Sequence, residues 1–319
     1  MKDFKNYNIL IIGDIMLDKY IFGNIDKISP EAPVPIFEII RNKEKPGGAA
    51  NVALNIKSLG SNPVLLSIAG DDRDGNKLLK LLKENEIDTS NILRDFKKIT
   101  TVKTRLMANG QHVLRIDEEN PMPVDSKTEK IISEIFLKIL EEKNIDAIIM
   151  QDYDKGLLGE NLIRFFVEKA RERNIFISVD PKFNNFFNFK NVDLFKPNLK
   201  EIGMALNRKI STQKDDLVKA AGELHSTLDY KNLYITLGDK GIFYSDGMNF
   251  EIFPTEHIDV VDVSGAGDVV LSVATLAFLE GMDIEKIAEL SNIAGGLACE
   301  IMGVATISMD QLKNKFEDK

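Results

Sequence analysis

Strands and helices alternate with little interruption over much of the second half of the chain. A predicted helix at residues 126–142 leads to an apolar run at 147–150, and a helix at 160–173 leads to an apolar run at 175–179. Such alternation produces a parallel sheet, because each helix must cross the sheet to reach the start of the next strand. We therefore predict an α/β fold in which a central, mostly parallel sheet carries helices on both faces.

Two segments interrupt the alternation. Residues 18–41 include three prolines between positions 30 and 35, which exclude a helix and restrict any strand to a sheet edge or a bulge. Residues 99–118 include Asn109-Gly110, a strong signal for a two-residue hairpin turn. We expect both segments to form a small β lid on a single domain that spans residues 1–319.

The hairpin turn predicts where the charged side chains of the second segment point. With a two-residue turn, Lys103, Arg105 and His112 share one face of the hairpin, whereas Arg115 and Asp117 share the other. The two arginines should then differ, because one would face a ligand in its own subunit and the other would face solvent or a partner subunit. No second histidine lies near His112 in the sequence, which favours a surface role over a metal ligand.

The composition limits the possible partners and the compartment. The net charge of −9 argues against nucleic acid or an anionic membrane as the main partner. No apolar run approaches the roughly 18 residues that a membrane span needs. The single cysteine, Cys299, cannot form an internal disulfide and suits a core position in a reducing compartment. We expect a cytoplasmic protein in which local cations hold any phosphorylated ligand.

One short stretch combines an anion site with a carboxylate. Gly265-Ala266-Gly267-Asp268 opens a long apolar segment, residues 269–279, that we predict to be a helix. Two glycines at a helix start leave backbone N–H groups open to an anion, and Asp268 beside them could take a proton from an attacking hydroxyl. The same residues also suit an ordinary strand-to-helix turn in which Asp268 only offsets the helix dipole. Both interpretations remain open from this stretch alone.

Polar residues also follow the first predicted strand and open the first predicted helix. Asp14 comes directly after the apolar run at 9–12, and ligands of open α/β sheets gather at the carboxyl ends of strands. Gly47 and Gly48 precede a predicted helix whose first turn contains Asn51. The amide of Asn51 could meet sugar hydroxyls, or it could simply lie near a tight turn.

Asn198 and Glu201 are three residues apart and would share one helical face. This spacing can hold a hydrated Mg²⁺ against nucleotide phosphates, but it also suits a helix capping box, which is the favoured local interpretation. The sequence contains no Walker P-loop. A Rossmann fingerprint also fails, because Gly265-x-Gly267 is followed by Val270 where a third glycine is needed.

Three of these motifs, in this order, resemble the PfkB (ribokinase-like) family of carbohydrate kinases over nearly the full chain. Gly47-Gly48-Ala49-Ala50-Asn51 resembles the first family signature, residues 262–268 resemble the second, and residues 198–201 resemble the Asn-x-x-Glu motif. The resemblance implies a ribokinase-like fold and an ATP- and Mg²⁺-dependent transfer of a phosphoryl group to a sugar.

Within this family, four stretches are similar to the kinases of D-glycero-β-D-manno-heptose 7-phosphate, which form the kinase domain of ADP-heptose synthases. The stretches are residues 28–35, 152–156, 179–182 and 262–268. Ser264 stands where threonine is more usual, which keeps the hydroxyl. The similarity implies phosphorylation of the anomeric hydroxyl to the 1,7-bisphosphate, a step toward the heptose of the lipopolysaccharide core.

The resemblance also implies a role for each candidate residue. Asp268 would be the general base, and the amides of Gly265, Ala266 and Gly267 would stabilise the transferred phosphoryl group. The residues implied to bind the sugar phosphate are Asp14, Asp18, Gly47, Gly48, Asn51, Lys103, Arg105, Arg115 and Asp117. Those implied to bind the nucleotide are Asn198, Glu201, Thr236, Gly238, Gly241, Asn292, Lys155 and Lys182, with Glu201 reaching Mg²⁺ through water. We expect Arg105 and Lys103, which share a predicted face, to contact the distal phosphate.

Two other functions remain open. A kinase of another sugar phosphate, such as fructose 6-phosphate, would share the catalytic residues and differ in the lid. A non-catalytic, nucleotide-sensing protein of the same fold is disfavoured because Asp268 and the glycines before it are intact. Whatever the function, the exposed strands of the lid predict a homodimer that forms through the lid.

Overall fold

A computed structural model describes residues 3–317, which form a nine-stranded main sheet and a four-stranded lid sheet. The strands are β1 (Asn8–Gly13), β2 (Ile15–Ile28), β3 (Pro35–Gly48), β4 (Asn62–Gly70), β5 (Ile92–Asp95), β6 (Thr101–Ala108), β7 (Gln111–Glu118), β8 (Ala147–Gln151), β9 (Phe176–Asp180), β10 (Leu194–Phe195), β11 (Asn232–Thr236), β12 (Ile242–Ser245) and β13 (Phe250–Phe253). The α-helices are α1 (Ala49–Ser58), α2 (Arg73–Glu84), α3 (Ser126–Glu142), α4 (Glu160–Arg171), α5 (Leu199–Ala205), α6 (Lys214–Leu228), α7 (Ala266–Leu279), α8 (Ile284–Cys299) and α9 (Met309–Glu317). None of the helices within this described range is long and apolar enough to cross a membrane.

The main sheet confirms the predicted α/β architecture. Its strand order is β13-β12-β11-β10-β9-β8-β1-β4-β5, and only the pairings of β12 with its two neighbours are antiparallel. The interior strand β1 is buried on both sides: Ile9 and Ile11 belong to one apolar cluster, and Leu10 and Ile12 belong to the other. Successive side chains of a strand point to opposite faces, so an unbroken apolar run marks a strand covered by helices on both sides.

The lid sheet contains both segments that interrupt the alternation. Its order is β3-β2-β6-β7, with β2 antiparallel to β3 and parallel to β6. The first pair of strands begins at Ile15 and ends at Gly48, so it extends further toward the main sheet than the predicted 18–41. Strand β7 forms one edge of the lid sheet, and all eight of its residues are exposed.

The register of the lid hairpin contradicts the predicted side-chain directions. Ala108 pairs with Gln111 across the expected turn, but the pairing shifts by one residue at Val113, and beyond it Arg105 pairs with Arg115. Lys103 likewise pairs with Asp117. Directly opposed residues share a face of a sheet, and one extra residue in a strand reverses the direction of every side chain after it. The prediction that the two arginines lie on opposite faces is therefore wrong.

Candidate active site

The carboxyl ends of the central parallel strands bring several polar side chains together beneath α7. Gln151 and Asp180 are the last residues of β8 and β9, and Asp14 and Lys196 directly follow β1 and β10. All four are buried. Adjacent parallel strands end at the same edge of a sheet, which is where ligands of open α/β sheets bind. The strand order therefore assembles a site that the sequence presents only in separate pieces.

Helix α7 begins at the predicted glycine-rich turn. Gly265 is the residue before the helix and has φ 81°, in the left-handed region that favours glycine. Asp268 lies in the first turn and is 2% exposed. Its Oδ2 accepts a hydrogen bond from Asn51 Nδ2 at 2.9 Å, and its Oδ1 accepts bonds from the Tyr153 hydroxyl at 2.8 Å and Gln151 Nε2 at 3.2 Å.

The environment of Asp268 prepares it to accept a proton near neutral pH. The pKa of Asp268 is raised to about 6, mainly by burial and also by the negative charge of Asp180, although the hydrogen bonds from Asn51 and Tyr153 act to lower it. A carboxyl group with this pKa is ionised at neutral pH and is a stronger base than an ordinary aspartate. This environment favours a general base over a residue that only offsets the helix dipole.

A cavity of about 510 Å³ opens in front of this turn. Its volume lies within the range of about 300–1,000 Å³ that is usual for small-molecule sites. Of the residues singled out in the sequence, the cavity is lined by Gly265, Ala266, Gly267, Asp268, Lys182, Asn198, Thr236, Gly238, Gly241 and Asn292. Cys299 is half-buried and also lines the cavity, so the prediction that it is a core residue is wrong.

Four charged side chains flank the cavity, of which Asp180 and Lys196 are buried and Lys182 and Glu201 are partly buried. Asp180 Oδ2 lies 3.0 Å from Lys196 Nζ, and Asp180 Oδ1 lies 3.4 Å from Lys182 Nζ, which also pairs closely with Glu201. Although burial acts to raise it, the pKa of Asp180 lies below its ordinary value because the two lysines stabilise its charge. Lys182 and Lys196 both line the cavity, so their ammonium groups are available to the phosphates of a nucleotide.

Asn198 and Glu201 form the capping box that the local sequence favours. The Asn198 side chain accepts a bond from the Glu201 N–H, and Glu201 Oε2 accepts one from the Asn198 N–H. The other oxygen of Glu201 pairs with Lys182. Between residues 3 and 317, no three His, Cys, Asp or Glu side chains group as a metal site. Both carboxylate oxygens of Glu201 thus have partners within the protein.

Asp14 is engaged by backbone groups of one loop. Its Oδ2 accepts hydrogen bonds from the N–H groups of Tyr153 at 3.1 Å and Lys155 at 3.0 Å, and its Oδ1 accepts one from Leu157 at 3.3 Å. The Lys155 side chain pairs with Glu119 at 2.9 Å, and Lys155 is not among the residues that line the cavity. The structure thus places Lys155, predicted to bind the nucleotide, beside the predicted sugar-site residue Asp14 and outside the lining of the cavity.

The remaining sugar-site candidates lie where the lid sheet joins the main sheet. Asp18 is 2% exposed and pairs closely with the Arg105 guanidinium. A side chain at Gly47 would place a Cβ 1.8 Å from Asp18 Oδ2, so only glycine fits beside this carboxylate. Gly48 immediately precedes α1, whose Asn51 contacts Asp268.

Further out on the same lid face, Lys103 and Arg115 both pair with Asp117. The structure therefore groups five of the predicted sugar-site residues along one face of the lid sheet: Asp18, Lys103, Arg105, Arg115 and Asp117.

Sequence reasoning missed four residues of this site, Gln151, Tyr153, Asp180 and Lys196. Tyr153 and Gln151 contact Asp268, and Lys196 pairs with Asp180. Each of them lies at or just after the end of a strand, which was the only available signal. That signal does not say which strand ends are neighbours, because strand order depends on contacts between distant parts of the chain.

Comparisons with known proteins identify the family of the chain. A model of the pfkB family carbohydrate kinases matches residues 7–311. Bifunctional protein HldE of Helicobacter pylori is 35% identical over 304 residues, which are 95% of this chain and 65% of that protein. The protein of the same name from Hyphomonas neptunium is 38% identical over 307 residues, which are 96% of this chain and 62% of that protein. The chain thus spans less than two thirds of the length of these relatives.

A solved structure shows the same fold. The crystal structure of phosphofructokinase-2 from Escherichia coli in complex with substrates and products matches with a TM-score of 0.79 at 21% identity, covering 98% of this chain and 99% of that chain. The architecture is thus ribokinase-like, with a mostly parallel sheet and a β lid. From the family match, the chain belongs to the pfkB family of carbohydrate kinases, which are phosphotransferases that act on an alcohol group of a sugar.

Proposed function

We propose that this protein transfers the γ-phosphoryl group of ATP to the anomeric hydroxyl of D-glycero-β-D-manno-heptose 7-phosphate in the cytoplasm. The product would be the 1,7-bisphosphate, a precursor of the heptose in the lipopolysaccharide core. The observation that carries the proposal is the buried Asp268 at the start of α7, held by three side-chain donors beside the glycines that line a nucleotide-sized cavity. The likeness to proteins named HldE supports the choice of sugar.

In this reaction Asp268 takes the proton of the attacking sugar hydroxyl, a contribution of about 10²- to 10⁴-fold. The backbone N–H groups of Gly265, Ala266 and Gly267, at the positive end of α7, stabilise the charge on the transferred group. Lys182 and Lys196 hold the nucleotide phosphates, and Thr236, Gly238, Gly241 and Asn292 line the cavity around the nucleotide. Bound Mg²⁺ would neutralise part of the phosphate charge, with Glu201 contacting it through water.

The lid face that carries Asp18 binds the phosphosugar. Lys103, Arg105 and Arg115 all point to this face by the observed register, which gives a protein of net charge −9 a local concentration of cations. Asp18 and Asn51 then hold sugar hydroxyls near the main sheet. Arg105 contacts the distal phosphate, because it is buried next to Asp18, whereas the Arg115 side chain is 60% exposed.

The opposite face of the lid sheet supports a homodimer. Ile21, Leu106, Leu114 and Ile116 share that face by their register, and Leu114 and Ile116 are exposed. Apolar residues on an exposed edge strand favour pairing with another chain. Light scattering of the protein at about micromolar concentration should give the mass of a dimer. Leu114→Lys should give a monomer, and the control Met248→Lys, in an exposed turn between β12 and β13, should not.

The sugar specificity is tested with a panel of phosphosugars. ATP consumption is measured with the 7-phosphate of the heptose, with fructose 6-phosphate and with a pentose 5-phosphate, and ³¹P NMR locates the new phosphate. The proposal predicts the highest kcat/KM for the heptose 7-phosphate and a new phosphate at the anomeric carbon. Preferred use of fructose 6-phosphate, or phosphorylation at a primary hydroxyl, would contradict it.

A further inference from the structure

The two oxygens of Asp268 differ in how many hydrogen bonds they already accept. An ionised carboxylate offers about four acceptor sites, two on each oxygen. Oδ1 accepts from the Tyr153 hydroxyl at 2.8 Å and from Gln151 Nε2 at 3.2 Å. Among the described residues, the only bond to Oδ2 comes from Asn51 at 2.9 Å. Oδ1 is therefore saturated, and Oδ2 keeps one open site.

The loop after β8 is built to present these two donors. Gln151 is the last residue of β8 and Tyr153 follows it by two residues, and both side chains donate to Oδ1 of Asp268. Asp14 fixes the loop by accepting the N–H groups of Tyr153, Lys155 and Leu157. A buried carboxylate that accepts several backbone donors is a strong anchor, since any loop movement would leave its charge unsatisfied. Asp14 thus fixes the position of the Tyr153 backbone.

Tyr153 is suited to be a permanent donor. Its pKa lies well above the ordinary value, first because the partly buried phenol is largely removed from water and second because the charge of Asp268 is close. The phenol therefore keeps its proton across the physiological pH range. Lys182 Nζ lies 5.4 Å from the ring centroid. The ring therefore lies between Lys182, on the nucleotide side of the site, and Asp268.

We propose that Tyr153 is a positioning residue which, with Gln151, saturates Oδ1 of Asp268 and so directs the proton of the sugar hydroxyl to Oδ2. The inference rests on the proposed role of Asp268 as the base. As the sugar oxygen forms its bond to the γ-phosphorus, its O–H bond breaks and the proton moves to Oδ2. The electron pair of the broken P–O bond leaves with ADP, so atoms and charges balance.

The decisive variant is Tyr153→Phe, which removes the hydroxyl donor and keeps the aromatic ring. With the phosphosugar that the parent accepts best, kcat should fall about tenfold to hundredfold, the usual effect of losing a hydrogen bond to a charged group. KM for ATP should change less than about threefold. Because the Tyr153 hydrogen bond lowers the pKa of Asp268, the acidic limb of the pH profile should move to higher pH.

A second readout does not depend on catalysis. Carboxyl ¹³C NMR of aspartate-labelled protein, with Asp268 assigned by its absence in Asp268→Asn, follows the titration of this group directly. Its midpoint should be higher in Tyr153→Phe than in the parent. Tyr244→Phe is the matched control, because its hydroxyl donates to Asn232 at 2.9 Å outside the cavity lining, and this variant should leave kcat and the titration unchanged.

The outcomes separate this inference from the proposed function. If the parent phosphorylates none of the panel sugars, the proposed function fails while the titration still tests Tyr153. If Tyr153→Phe matches the parent in kcat, pH profile and titration, the inference is overturned although the function stands. A crystal structure with the phosphosugar and a non-hydrolysable ATP analogue tests the choice of oxygen: the sugar hydroxyl should lie within about 3.2 Å of Oδ2, and a position on Oδ1 would overturn it.

Discussion

The turn that opens α7 and the lid sheet hold their charged groups in different ways. At the turn, Asp268 is 2% exposed and accepts three side-chain hydrogen bonds. On the outer lid, the side chain of Arg115 is 60% exposed and forms an ion pair with Asp117 of its own strand. A buried charge has no water to replace a lost partner, whereas an exposed charge does. Substitutions at the turn should therefore have large effects, and those on the outer lid small ones.

The two regions also differ in how their geometry is specified. The turn is fixed by consecutive residues, because Gly265 adopts its left-handed conformation directly before the helix and Asp268 follows within one turn. The lid is fixed by the pairing of separate strands, in which one unpaired residue at Val113 changes the direction of Arg115. Local geometry is robust, whereas register at a sheet edge is sensitive to single residues.

Asp268→Asn should produce the largest effect and tests the buried side of the comparison. The amide cannot take a proton at neutral pH, so kcat should fall by about 10²- to 10⁴-fold. The volume of the side chain is nearly unchanged, so binding of a non-hydrolysable ATP analogue, measured by calorimetry, should stay within about threefold of the parent. A kcat within about tenfold of the parent would remove Asp268 from the role of base.

The stability of the same variant checks the pKa of the base. The folded-state pKa of Asp268, about 6, is above the ordinary value of 3.8. Stability from the neutral form is therefore complete below about pH 4 and is lost as the pH rises through about 6. Between these pH values, the free energy of unfolding of the parent should fall relative to that of Asp268→Asn. Above them, the difference between the two proteins should stay constant. If the difference in free energy of unfolding between the variant and the parent did not change with pH, burial could not be the cause of the raised pKa.

Much of the buried region could be predicted from the sequence. The start of α7, the capping box of Asn198 and Glu201, and the parallel sheet all follow from short-range patterns and from the alternation of strands and helices. The contacts of Tyr153 and Lys196 could not be predicted, because they depend on which strand ends are neighbours. Strand order is a property of the whole chain and leaves no local mark.

The lid was predicted in outline only. Its two segments and the Asn109-Gly110 turn form as expected, but the side-chain directions do not, because the hydrophobic pattern of β7 carries no sign of the extra residue. The apolar residues at 113, 114 and 116 are all exposed. In a strand without a buried face, the pattern does not specify the register.

Lys196→Met should have the next largest effect, on stability. It removes the partner 3.0 Å from the buried Asp180 and leaves only Lys182, at 3.4 Å. Breaking a buried pair costs about 3–5 kcal/mol, and the remaining lysine should keep the loss near about 3 kcal/mol, measured by urea unfolding. Lys231→Met is the matched control: its ion pair with Asp193 is 2.8 Å long, but the Lys231 side chain is 67% exposed.

The control should lose less than about 1 kcal/mol. The double variant with Asp180→Asn should recover part of the stability lost by Lys196→Met, because no buried charge is then left without its partner. Equal losses for Lys196→Met and Lys231→Met would break the proposed link between burial and the size of the effect.

Arg105→Ala and Arg115→Ala compare two positions within the lid. The two residues pair directly on one face, so they differ in burial and not in direction. Losing a charge-assisted hydrogen bond costs about 1.5–3 kcal/mol, so Arg105→Ala should raise KM for the phosphosugar about tenfold to hundredfold. Arg115→Ala should raise it less than about fivefold. KM for ATP should stay nearly constant in both, and equal losses would show that direction, not burial, sets the effect.

The smallest effect is expected at a contact between the outer lid strand and the segment that leads into α7. His112 on β7 lies 3.6 Å from Asp262, and its side chain is 44% exposed. Asp262 is held independently by the N–H groups of Ser264 and Gly303, each at 2.9 Å. Loss of His112 therefore leaves Asp262 bonded and costs only an exposed ion pair, about 0.2–1 kcal/mol. His112→Ala should lower kcat/KM less than about fivefold.

The salt dependence of this effect decides whether the contact belongs with the lid or with the turn. Exposed charges are screened at high ionic strength, so the difference between His112→Ala and the parent should disappear in about 0.5 M NaCl. Gln111→Ala, on the same exposed strand and outside the ion pair, is the control and should match the parent at every salt concentration. A loss above about tenfold that persists in high salt would place His112 among the buried, tightly coupled groups and would blur the distinction between the two regions.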